Sequence, residues 1–99
     1  MIRHIVSWKL TAEDADDKAA AFDELAQGFG PLPASISAIK TMHLGRDIGE
    51  TPTNWDVVLI MDFENTADLA AYQAHPEHQP VKAIVRRVTG DRMAVDFEL

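Results

Sequence analysis

From Ile2 to Leu10 the chain alternates, with Ile2, His4, Val6, Trp8 and Leu10 on one side and Arg3, Ile5, Ser7 and Lys9 on the other. That two-residue period is the signature of a half-buried strand, and it puts His4 with the apolar set. Thr11-Ala12-Glu13-Asp14 then supplies a capping hydroxyl and first-turn acids. Ala15, Ala19, Phe22, Leu25, Ala26 and Phe29 follow at helical spacing, predicting an amphipathic helix that starts after Thr11 and ends near Gly28 or Gly30. Pro31 and Pro33 break it. Ser35 to Asp47 reads as a second strand, with Ile36, Ala38, Met42 and Leu44 set against Ser37, Thr41 and His43. Gly49 to Asn54, containing Pro52, is a polar turn into a third strand, Trp55 to Phe63. There Trp55, Val57, Leu59, Met61 and Phe63 share a face, and Val58 and Ile60 make the opposite face apolar as well. One layer of helices covers one face only, so a second copy of the chain is expected over the other. The alternation leaves open whether Val58 and Ile60 or Trp55, Leu59 and Met61 meet that copy.

Asn65 or Thr66 can cap a helix through Ala67, Leu69, Ala70 and Tyr72, which Pro76 ends by forcing His75 out of helical geometry. Pro76 suits the first turn of a new helix carrying Val81, Ile84, Val85 and Val88. Gly90 is the expected terminator, before a last alternating run with Met93, Val95, Phe97 and Leu99 on one face. The order is strand, helix, strand, strand, broken helix, strand. It predicts an α+β, ferredoxin-like β-α-β-β-α-β domain with a four-stranded antiparallel sheet and helices on one face. Two such sheets packed face to face make a barrel-like dimer.

Ninety-nine residues at 46% hydrophobic character make a single domain, spanning residues 1–99, with no linker or repeat. A chain this short buries only about 65% of its surface on folding, a thin core that association would strengthen. Nine Lys and Arg against 16 Asp and Glu give a net charge of −7, which argues against nucleic acid or an anionic membrane surface as a partner. The absence of cysteine excludes disulfides and thiolate chemistry. The longest strongly apolar run, Val57 to Met61, is far short of the ~20 residues of a membrane span, and nothing after Met1-Ile2-Arg3-His4 forms a signal-peptide core. A cytoplasmic protein is expected.

The cluster Tyr72-Gln73-Ala74-His75-Pro76-Glu77-His78, with His4 near the other end of the chain, carries the candidate chemistry. A phenol and imidazoles lining an apolar cavity can perform acid-base work without a cofactor. Each also has a plainer reading: Tyr72 as a core residue, His75 as the helix stop, His4 as a buried neutral imidazole with a backbone partner. His78 lies early in the new helix, where the dipole disfavours its charged form and leaves a neutral base. His75 and His78 are three apart without a third ligand in a zinc pattern, so no metal is expected. Glu13, Asp14, Asp16 and Asp17 are the solvated first turn of a helix, Trp8 and Trp55 are core or interface residues, and Gly45-Arg46 has no phosphate-loop spacing.

With these residues placed, the whole chain resembles the stress-responsive A/B barrel (Dabb) family of dimeric α+β barrels. The resemblance is carried by the opening Met1 to Lys9, Gly45-Arg46, Trp55-Asp56 running to Asp62-Phe63, Tyr72 followed by His75-Pro76-Glu77-His78, and Val88 to Phe97. It implies a homodimer through the sheet face and a cavity between each sheet and its own helices, with Val6, Trp8, Phe22, Leu25 and His75 as ligand-binding residues. The family's plant polyketide cyclase closes its substrate by aldol condensation without metal or organic cofactor. By position, that resemblance assigns His78 as the base, Tyr72 as a hydrogen-bond donor and His4 as an orienting group. The cyclase carries a further tyrosine on the first helix where this chain has Leu25. Three readings follow: a homodimer binding a small apolar or phenolic molecule, a cofactor-free enzyme resembling the cyclase or small monooxygenases, and a structural or interaction module whose side chains fill the cavity.

Overall fold

In the computed structural model, which describes Met1–Leu99, strand β1 (Ile2–Leu10) buries Ile2, His4, Val6, Trp8 and Leu10 and leaves Arg3, Ile5 and Ser7 half-buried. The alternation thus maps directly onto the two faces of a pleated strand. Helix α1 (Ala15–Phe29) follows, capped by the Asp14 carboxylate, which accepts from the Asp17 N–H at 2.8 Å. The expected cap, Thr11, is used elsewhere: its hydroxyl and N–H both donate to the Val88 carbonyl, at 3.2 and 3.0 Å, tying the end of β1 to a later helix. Ala21, Leu25 and Phe29, four residues apart, are the buried stripe of α1.

The second strand is shorter than the predicted Ser35 to Asp47. Pro31 and Pro33 open a helical turn, α2 (Leu32–Ser35), and Ile36 and Ile39 are buried in an irregular turn. Proline fits a first helical turn, and the buried pair is three apart rather than two. Only β2 (Thr41–Arg46) extends. Strand β3 (Val57–Phe63) begins two residues later than expected, and Trp55 lies before it, half-buried under the Lys9 ammonium at 5.3 Å from the ring centre. Helix α3 (Thr66–Ala74) is capped by Asn65, whose side chain accepts from the Asp68 N–H at 2.9 Å. A 3₁₀ turn, Pro76–His78, leads into α4 (Gln79–Val88), and β4 (Thr89–Glu98) starts at once. Gly90 is therefore a strand residue, not the helix terminator.

All neighbouring strands are antiparallel, in the order β2-β3-β1-β4, the ferredoxin-like arrangement. The cross-strand register assigns the faces. Towards the helices point Ile2, His4, Val6 and Trp8 of β1 opposite Phe63, Met61, Leu59 and Val57 of β3. Away from them point Ile5, Val58, Ile60 and His43, with Met93, Val95 and Phe97 of β4. No helix covers that outer face, and Met93, Val95 and Phe97 are each at least 40% exposed. Of the two faces the alternation left open for a second copy, the Leu59 and Met61 face is already occupied by the chain's own helices. No helix is long and apolar enough to cross a membrane.

Candidate functional site

On the helix side, β4 presents Arg92, Ala94, Asp96 and Glu98, all exposed. Their exposure shows that the helical layer leaves the inner side of this edge strand uncovered. A cavity of about 330 Å³ results. Its sheet wall is His4, Val6, Trp8, Leu59 and Arg92; Phe29, Tyr72, His78 and Val85 come from the helical layer, and Gln73, Lys82 and Arg86 complete the lining.

Three of the predicted residues meet here although they are far apart in sequence. Tyr72 and His78 stack with ring centres 4.4 Å apart and planes tilted by 35°, and the His4 ring lies edge-on to Tyr72 at 6.4 Å. The backbone explains why His78, and not His75, turns inward. His75 is extended, ψ 136°, and its ring caps the 3₁₀ turn by accepting from the Glu77 N–H at 3.1 Å. One turn later, His78 is carried inside, beside Phe29 at 6.3 Å. Val6 and Trp8 line the cavity, whereas His75 does not. Leu25 is wholly buried in the core and Phe22 packs at its edge; neither reaches the cavity.

The polar groups are set differently from one another. His4 Nδ1 is hydrogen-bonded to the Asp96 carboxylate, directly opposite on β4, with the ring nitrogen as donor and the carboxylate as acceptor. Asp96 is the residue that sequence reasoning missed. Its position in an alternating run shows a face, but only the register shows that it meets His4. His78 Nδ1 and Trp8 Nε1 are buried with no hydrogen-bond partner. Burial, reinforced by Lys82 and His4, lowers the His78 pKa to about 4, so the ring is neutral at pH 7. Burial likewise raises the Tyr72 phenol far above its ordinary value, against the opposing charge of Arg92, so Tyr72 stays protonated and can donate. No group of three His, Asp or Glu side chains is placed to hold a metal ion.

A second polar cluster lies on the opposite face. Asp62 is buried and accepts from Arg3 Nε and Nη2 at 2.9 and 3.0 Å and from the Thr41 hydroxyl at 2.6 Å, and these hydrogen bonds lower its pKa to about 2. It is an ion pair on the open sheet face rather than part of the cavity.

Known proteins with this architecture bear on the family. A dimeric protein of unknown function from Bacteroides fragilis, with a ferredoxin-like fold, is 29% identical, with 99% of this chain and 95% of that one covered and a TM-score of 0.87. A dimeric ferredoxin-like protein of unknown function from Thermobifida fusca is 31% identical over 99% of this chain and 90% of its own, with a TM-score of 0.84. The hydroxynitrile lyase of Passiflora edulis shares the fold at 15% identity, covering 97% and 90%, with a TM-score of 0.78. No curated protein matches the sequence. The model of the stress responsive A/B barrel domain matches residues 2–99, all but the first residue of this sequence: the protein belongs to the stress responsive A/B barrel domain (Dabb) family.

Proposed function

We propose that this chain acts as a homodimer that binds a small apolar or phenolic molecule in the cavity between its sheet and helices. The observation that carries the reading is the cavity itself. Phe29, Trp8 and Leu25 are all buried, yet about 330 Å³ stays open against Phe29 and Trp8, at the lower end of the range for small-molecule sites. A module that filled this space with its own side chains would leave no such volume. Two buried polar atoms without partners, Trp8 Nε1 and His78 Nδ1, lie in residues of its wall, an arrangement folding alone does not favour. Pairing follows from the outer face, where Ile5, Val58 and Ile60 are flanked by exposed Met93, Val95 and Phe97; similar proteins are dimeric.

A thermal-shift and native mass-spectrometry screen of phenolic and polyketide-like acids tests the binding, run on wild type beside His78→Ala and Tyr72→Phe. A molecule that stabilises wild type and is lost by either variant supports the site. If nothing binds while both variants lose stability, the motif is scaffolding. Sedimentation equilibrium at micromolar concentration tests the pairing: a dimer is expected, with Ile60→Arg monomeric, and a monomeric wild type contradicts it.

The His4–Asp96 pair favours a second reading, a cofactor-free acid-base enzyme. A carboxylate holding Nδ1–H leaves Nε2 poised to accept a proton, the orientation general bases require. In this reading His4 removes a proton next to a substrate carbonyl and Tyr72 donates to the developing oxyanion. Desolvated His78, expected from the sequence to be the base, then serves as a neutral hydrogen-bonding group. Turnover lost in Asp96→Asn with ligand binding retained would separate this reading from simple binding.

A further inference from the structure

The cations of this acidic chain are unevenly used. Arg3, Lys18 and Arg87 are each paired with a carboxylate, Asp62, Asp56 and Glu24 respectively. Arg92 and Arg86, both exposed, have no such partner, and neither do Lys9, Lys40, Arg46 and Lys82; what sets the two arginines apart is their place beside the cavity. These two arginines and Lys82 are in the wall of the one cavity built around His78, and no carboxylate lines it. Lys82 is held in place, its ammonium donating to the Gln73 carbonyl at 2.7 Å. Asp96, on the same face of β4 as Arg92, is four residues along, about 13 Å at strand rise. It is engaged by His4 instead. Arg92 lies opposite Trp8 in the sheet, so the cationic end of the cavity adjoins its aromatic wall.

From this placement we infer that the ligand is an amphipathic organic anion, with an apolar body against Val6, Trp8, Phe29 and Leu59 and a carboxylate held at the mouth by Arg92 and Arg86. The inference rests on the cavity being a binding site and adds the chemical class of what enters it. A guanidinium offers a planar pair of N–H donors that matches a carboxylate, and two of them unpaired on one opening leave a positive potential that a neutral molecule does not use. The surrounding negative charge would repel an anion elsewhere on the molecule, so the opening is also where an anion meets least resistance.

The test is calorimetric titration of the intact protein with three molecules of one shape: 5-phenylpentanoate, 5-phenylpentan-1-ol and 5-phenylpentylamine, at low and at physiological salt. The carboxylate is expected to bind about tenfold or more tightly than the alcohol, with the amine weakest. In Arg86→Gln/Arg92→Gln that preference should collapse while affinity for the alcohol is kept. Because both arginines are exposed, the variant tests charge rather than folding, and an unchanged thermal midpoint confirms it. If alcohol and carboxylate bind wild type equally, the cavity reading stands and the anion inference fails. If the preference survives in the double variant, the arginines are not its source and the inference also fails. Absence of binding by all three to millimolar concentration overturns the inference and the cavity reading together.

Discussion

Replacing His78 by phenylalanine removes one titrating group from the interior while keeping a flat ring between Tyr72 and Phe29, whose centres lie 4.4 and 6.3 Å away. In the folded chain the imidazole is 8% exposed and its pKa is lowered to about 4, chiefly by desolvation, from an ordinary value of 6.5. The folded value is below the unfolded one, so between about pH 4 and 6.5 the unfolded chain binds more protons. The stability tied to a neutral His78 is therefore present above about pH 6.5 and is lost as the pH falls towards 4. The shift corresponds to about 3 kcal/mol in all, of which about 2 kcal/mol is lost between pH 7 and pH 5. With an unfolding entropy of about 2.1 cal/mol/K per residue, that is a fall of about 10 °C in thermal midpoint. Urea unfolding from pH 4 to 7.5, at one fixed protomer concentration, measures it. Wild type should lose about 2 kcal/mol more than His78→Phe between pH 7 and 5. His43 and His75, which do not act on His78, are common to both proteins and cancel in the difference. Parallel pH curves, or a variant steeper than wild type, would refute the desolvated, neutral His78.

Three further outcomes follow from the packing and the ion pairs. Leu25→Ala deletes a wholly buried side chain of the α1 stripe and is expected to cost 2–5 kcal/mol by urea unfolding, without changing ligand affinity, since Leu25 does not line the cavity. Asn65→Ala removes the α3 cap and should cost about 1 kcal/mol in the same assay. The Asp62 carboxyl, followed by carbon NMR, should titrate near pH 2 in wild type and nearer its ordinary 3.8 in Arg3→Ala. Its folded value is depressed, so the stability it supplies is present above about pH 3.8 and lost as the pH falls towards 2.

Periodicity reads burial well where an element is long and its neighbours agree, as in β1, whose five apolar-side residues are all buried. It reads poorly where the chain turns. Ile36 and Ala38 looked like alternate strand positions, but the buried pair is Ile36 and Ile39, inside a turn opened by two prolines. Thr11 had the chemistry of a helix cap and spends it on Val88. The Tyr72 and His78 pair was legible because both stand on one corner of one segment. Asp96, 92 residues from His4, was not, because strand register is set by the whole sheet and not by either strand. Lys82, Arg86 and Arg92 escaped for a related reason: on a helix face or an edge strand, exposed cations look like ordinary solvated surface until a cavity is found beneath them. Phe22 and Leu25 illustrate the converse, since a helical stripe shows which side faces inward but not how deep each residue lies.

Only two indole N–H groups exist in this chain, and they separate the cavity from the rest of the molecule. Trp8 is in its wall with Nε1 unpartnered, and Trp55 lies outside, beneath Lys9. Nitrogen–proton NMR of the two indole signals during titration with 5-phenylpentanoate is thus the most direct test that the cavity is a working site. A saturable shift of the Trp8 signal with Trp55 unmoved is the predicted result; a moving Trp55 signal, or two signals unchanged through millimolar ligand, would contradict it.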